Sequence, residues 1–149
     1  LEVLRPHGLD LVAHAIGHYV KTRPPLDADV LGRDVTYAMA RDGLDVEHVA
    51  AHLVTLGLAR AARYALPRIT DPASRTVAGA ILEALPIDPL AKALVAFAKH
   101  TENARLETLP SVLSRHVLNE SLSRGLLSFG YQALDALESR ARRRFSRRP

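Results

Sequence analysis

Four of the seven histidines in this 149-residue chain fall in two identical frames, His14-x3-His18 and His48-x3-His52. On a helix that spacing puts both rings of a pair on one side, about a turn apart. Two imidazoles held side by side can ligate a transition metal or respond to pH. Asp10 stands four residues before His14, so Asp10, His14 and His18 make a stripe of carboxylate and nitrogen donors of the kind zinc accepts. On a helical wheel the stripe lies with His7 and Lys21, opposite the face that carries Ile16. A solvated polar face accounts for the same pattern, and no metal-site motif surrounds the pair. The reading adopted is therefore the solvated face, with no metal or cofactor assigned.

His48 and His52 flank the apolar face of a later helix, with Glu47 just ahead of them. In zincin metalloproteases the glutamate lies between the two histidines and serves as base beside the metal. Here it precedes both and points about 100° away from His48, which excludes that chemistry. The four histidines could converge if their two helices packed side by side, but nothing in the sequence requires it. A further pair, His116-x3-Glu120, falls between Val112 and Leu113 on the wheel. It reads as a partly buried structural hydrogen bond. A di-metal carboxylate bundle would need several glutamates and a Glu-x2-His spacing.

Other chemistries lack their parts. The chain has no cysteine, which removes thiolate ligands, cysteine nucleophiles and disulfides. It has no Gly-x-Ser-x-Gly elbow, no Gly-x4-Gly-Lys-Ser/Thr loop and no Gly-x-Gly-x2-Gly turn. The domain is read as non-catalytic.

The elements that position these residues are helical. Hydrophobic residues make up 48% of the chain but aromatics only 5%, with no Trp, so the core must be built from Leu, Val, Ile and Ala. Such a core suits close-packed helices better than a sandwich. A first helix is expected from about Leu9 to Lys21, ending before Pro24-Pro25. Asp27 or Asp29 caps a second, which runs to Asp42 with Gly43 as its left-handed terminator. Asp45 caps a third, with Val46, Val49, Ala50, Leu53 and Leu56 inward; Gly57 interrupts it, and a further stretch reaches Leu66. Asp71-Pro72 and Asp88-Pro89 each read as an N-cap followed by proline at the first helical position. Val77, Ile81 and Leu85 should line the first of these helices, and Leu90, Leu94 and Phe97 the second. A last helical region begins near Pro110, breaks at Gly125 and continues along Leu127, Leu134, Leu137, Ala141 and Phe145. The expectation is an all-α single-domain bundle of six to eight helices with short loops, spanning residues 1–139. An arginine-rich tail, 140–149, continues the last helix at its start.

The net charge of +4 is unevenly spread. Arg140, Arg142, Arg143, Arg144, Arg147 and Arg148 all lie in the last ten residues; setting them aside leaves 14 basic residues against 16 acidic ones. The body is close to neutral and the tail is strongly basic. Clustered arginines bind phosphates by bidentate contact and counterion release. Residues 43–50 faintly resemble the opening of a helix-turn-helix unit, where a capped helix with an inward alanine precedes a turn and a recognition helix. The glycine expected soon after that alanine comes late, at Gly57, and the helix 58–66 offers Arg60 and Arg63 but no Asn, Gln or Lys. The resemblance covers about 25 residues and stays an analogy.

These observations favour a non-catalytic interaction domain with a protein partner. The alternatives are a nucleic-acid module using the tail with segment 43–66, and a metal-binding helical protein using the histidine pairs. No apolar run is long enough to span a bilayer. The first residue is Leu1, consistent with a domain cut from a longer protein. Nothing names a compartment, and an intracellular setting is the working expectation.

Overall fold

The computed structural model describes residues 6–22, 27–101 and 118. Among them the chain is mostly helical and contains no strand. The helices are α1 (Gly8–Lys21), α2 (Ala28–Asp42), α3 (Val46–Thr55), α4 (Ala59–Ala65), α5 (Pro72–Ala84) and α6 (Pro89–Thr101), with a single 3-10 turn at Leu66–Arg68. The region expected to begin near Pro110 lies outside the described residues, Leu118 excepted. So do His116, Glu120 and the six tail arginines.

The starts of these helices follow from local polar chemistry. Asp27 caps α2 through the Asp29 N–H, Asp45 caps α3 through the His48 N–H, and Asp71 caps α5 through the Ser74 N–H. Asp88 accepts from the Leu90 N–H at the head of α6, at 2.9 Å. Each carboxylate satisfies one of the amides that a helix leaves unpaired in its first turn. α1 departs from the pattern: its cap is His7, whose Nδ1 accepts from Leu9 N–H at 3.3 Å. Two helices stop at a glycine in the left-handed region, Gly43 after α2 (φ 60°) and Gly57 after α3 (φ 71°). At both, the next amide folds back to a carbonyl five residues earlier, Leu44 to Met39 and Leu58 to Leu53.

α1 lies against α2, α3 and α4; α5 packs on α2 and α3; α6 packs on α4. The core is aliphatic. Val12 and Ile16 of α1, Leu31 and Val35 of α2, Val49 and Leu53 of α3, Ile81 of α5, and Leu66 belong to one buried cluster, which Leu118 also joins. Several helix faces differ from the wheel. Leu56, expected inward, is 48% exposed, because α3 ends at Thr55 and the Gly57 turn redirects the chain. On α6 the buried positions are Ala91 and Ala98, whereas Leu90 is 53% and Phe97 37% exposed. α4 explains this, since its own contribution to the core includes Ala61, Ala62 and Ala65. Small residues on both helices permit close approach, and that turns the larger side chains of α6 away.

Long-range polar contacts tie the helix ends together. Asp29 does not cap α2. Its carboxylate reaches the connection before α5, accepting from Thr70 N–H and Thr70 Oγ1, each at 2.7 Å, and from Asp71 N–H at 3.0 Å. The Thr70 hydroxyl, then the backbone amides of Asp71 and Thr70, hold the Asp29 carboxyl below the usual range. At the other end of α2, Asp42 takes a forked contact from Arg41 (2.7 and 2.9 Å) and accepts from Gly8 N–H at 2.5 Å. Arg41 also donates to the Pro6 carbonyl at 2.9 Å. Chiefly through Arg41, the Asp42 carboxyl is lowered to about 2.

Candidate functional site

α1 carries the histidine ridge because its two faces differ so strongly. Val12, Ile16, Tyr19 and Val20 are buried, which forces His14 and His18 outward. Their rings stack on each other, with centroids 5.8 Å apart and planes within 9°. Thr22, one turn beyond, donates its hydroxyl to the His18 carbonyl at 2.9 Å and lies 3.3 Å from His18 Nε2. The hydroxyl hydrogen is thus committed, so the oxygen accepts from an Nε2–H and the neutral ring keeps its lone pair on Nδ1.

α1 and α3 do pack side by side, yet the four histidines do not converge. His48 Nδ1 lies 2.6 Å from Asp45, the cap of its own helix, and its side chain is 77% exposed. The backbone amide of His48 is the main cause that lowers the Asp45 carboxyl, with the His48 ring secondary. His52 points across to α1, where Nε2 lies 3.2 Å from Asp10. The expected stripe is therefore divided: Asp10 is shared with α3, while His14 and His18 keep to each other. Among the described residues, no three His, Asp or Glu side chains stand close enough to hold a metal ion together.

The ridge separates two depressions. One, of about 370 Å³, lies between α1 and the α3–α4 turn and includes Asp10, Lys21, Leu56 and Leu58. The other, of about 300 Å³, lies between α1 and α2. Its floor is apolar, from Leu11, Ala15, Tyr19, Leu31 and Ala38; its rims are His14 and His18 on α1, and Val30, Asp34 and Tyr37 on α2. Tyr37 is 67% exposed. Val30, Asp34 and Tyr37 stand at i, i+4 and i+7, a second stripe on α2 beside its buried Leu31, Val35 and Ala38 face. Sequence reasoning missed them. The signal was present, since apolar Val30 and Tyr37 recur seven residues apart outside the inward face.

Arg60 and Arg63, the candidates for anion contact on the helix 58–66, are both engaged within the fold. Arg60 Nε meets Asp88 at 2.7 Å, and that contact is the main cause lowering the Asp88 carboxyl. Arg63 donates to the carbonyls of Leu85 and Pro86 at 3.0 and 2.9 Å. α4 is short, and Ala61, Ala62, Tyr64 and Ala65 are buried. It acts as an interior strut held to the α5–α6 connection.

No protein-family model, curated protein or solved structure matches this chain. Among the described residues, no helix is long and apolar enough to cross a membrane.

Proposed function

We propose that the chain is a non-catalytic interaction domain, a bundle of six to eight helices, that binds a helical segment of a partner protein in the α1–α2 groove. The observation that carries this reading is the pairing of an apolar floor with a rim on which Tyr37 stands 67% exposed. An amphipathic helix buries its apolar side in such a groove, and tyrosine contributes rigid contact area at low entropic cost. Supporting it are the absence of any catalytic motif in the sequence and the near-neutral body.

The test is affinity capture from the native host, followed by reconstitution with the purified partner. Val30→Glu combined with Tyr37→Glu should abolish that binding and leave the melting curve nearly unchanged, because both side chains lie at the surface. Binding indifferent to this pair, but lost on nuclease treatment or on deletion of residues 140–149, would replace the proposal with the nucleic-acid reading.

A further inference from the structure

We propose that His14 and His18 form an exchangeable, two-nitrogen site for a divalent transition cation such as zinc, nickel or copper. Imidazole suits these metals, and two rings at i, i+4 act as a chelate. The two rings already lie next to each other. Their planes are 9° from parallel and their centroids 5.8 Å apart, so the rings present themselves side by side to solvent. Metal–nitrogen bonds of about 2.0–2.1 Å require the two donor nitrogens to stand roughly 3 Å apart. The proposal requires the two rings to tilt about their side-chain torsions until one nitrogen of each reaches that separation. No hydrogen bond or ion pair engages the His14 ring among the described residues, and the one on the His18 ring is the 3.3 Å contact with Thr22. Coordination through Nδ1 of His18 retains it; coordination through Nε2 sacrifices one weak, exposed hydrogen bond.

The surroundings decide both the location and the strength of the site. His18 lies in the last turn of α1, where the carbonyl end of the helix favours positive charge. Asp10 lines the same depression and adds an anion, against which Lys21 acts. The second histidine pair offers no comparable chelate, since His48 is turned to Asp45 and His52 to Asp10. With two protein ligands, the cation must complete its shell with water. Such a site exchanges its metal and does not hold the fold together, unlike a closed four-ligand zinc site.

The experiment uses the full chain, without a histidine tag and stripped with chelator. Zinc is titrated calorimetrically, and paramagnetic copper is added to a nitrogen-15-labelled sample. One cation should bind per chain, with signal loss centred on the C-terminal half of α1. His14→Ala and His18→Ala should each weaken binding by roughly a hundredfold, because removing one ring converts a chelate into a single ligand. His48→Ala with His52→Ala should leave the titration unchanged, and circular dichroism should show all variants folded. Absence of saturable zinc binding in the wild type would overturn the proposal. So would binding that persists in the His14→Ala, His18→Ala double variant, or that follows His48 and His52 instead.

Discussion

His14-x3-His18 and His48-x3-His52 occupy the same frame on two helices that lie against each other, yet their four rings meet different fates. The first pair faces water and stacks on itself. The second is divided, with His48 drawn to the cap of its own helix and His52 drawn across to α1. The difference lies in what surrounds each frame. Asp45 stands three residues before His48, so one carboxylate both caps α3 and reaches the ring. α1 is capped by His7 instead, and its nearest acid, Asp10, faces α3. Identical spacing thus sets which side chains share a helix face and leaves open which groups that face will meet.

Three measurements sharpen the contrast, in descending order of expected effect. Leu53, next to His52 and fully buried, should be the anchor of α3. Leu53→Ala should cost about 2–5 kcal/mol in urea unfolding, the range for large-to-small changes in a packed core. A loss no greater than that of His52→Ala would mean that polar contacts hold α3 in place.

Asp45→Ala should come next, lowering the melting temperature at neutral pH by roughly 2–5 °C through loss of the α3 cap. The sign of its pH dependence follows from the depressed carboxyl. A group whose folded value lies below its ordinary 3.8 stabilises the protein above that value and loses its contribution as pH falls through the folded one. The gap between wild type and Asp45→Ala should therefore be full near neutrality and close below about pH 4. A gap that widens on acidification would reverse the assignment. Asp42, lowered to about 2, should keep its contribution to more acidic conditions than Asp45, because Arg41 holds it as an ion pair.

The smallest effect should be the coupling between Asp10 and His52, at most about 1 kcal/mol in a double-mutant cycle, as for other exposed pairs. Asp10 with His14, the pairing suggested by the spacing alone, should show a coupling near zero. Larger coupling to His14 than to His52 would erase the distinction between the two frames.

Much of the architecture was legible without coordinates. Asp71-Pro72, Asp88-Pro89, Asp45 and Gly43 mark helix ends where the structure has them, because capping is satisfied within a few residues of chain. The outward position of His14 and His18 was legible for the same reason, since Val12 and Ile16 claim the opposite face. Where expectation and structure parted, a distant partner had intervened. Asp29 was a plausible cap and instead binds Thr70 and Asp71. Leu90 and Phe97 were the larger apolar residues of α6, yet Ala91 and Ala98 face inward.

The sequence by itself determined the helical class of the described residues, the starts of α3, α5 and α6, and the side of α1 on which two histidines stand. These depend on backbone hydrogen bonds and on a period of 3.6 residues, both local properties. Only the tertiary structure decided that His52 meets Asp10, that Arg60 and Arg63 are held by the α5–α6 connection, and that Val30 and Tyr37 border a groove with α1. The polar contacts among them join residues far apart in the chain, 42 positions for His52 and Asp10, 28 for Arg60 and Asp88, and 22 for Arg63 and Leu85. Which helices adjoin, and at what rotation, is set by how all the apolar faces fill one core together.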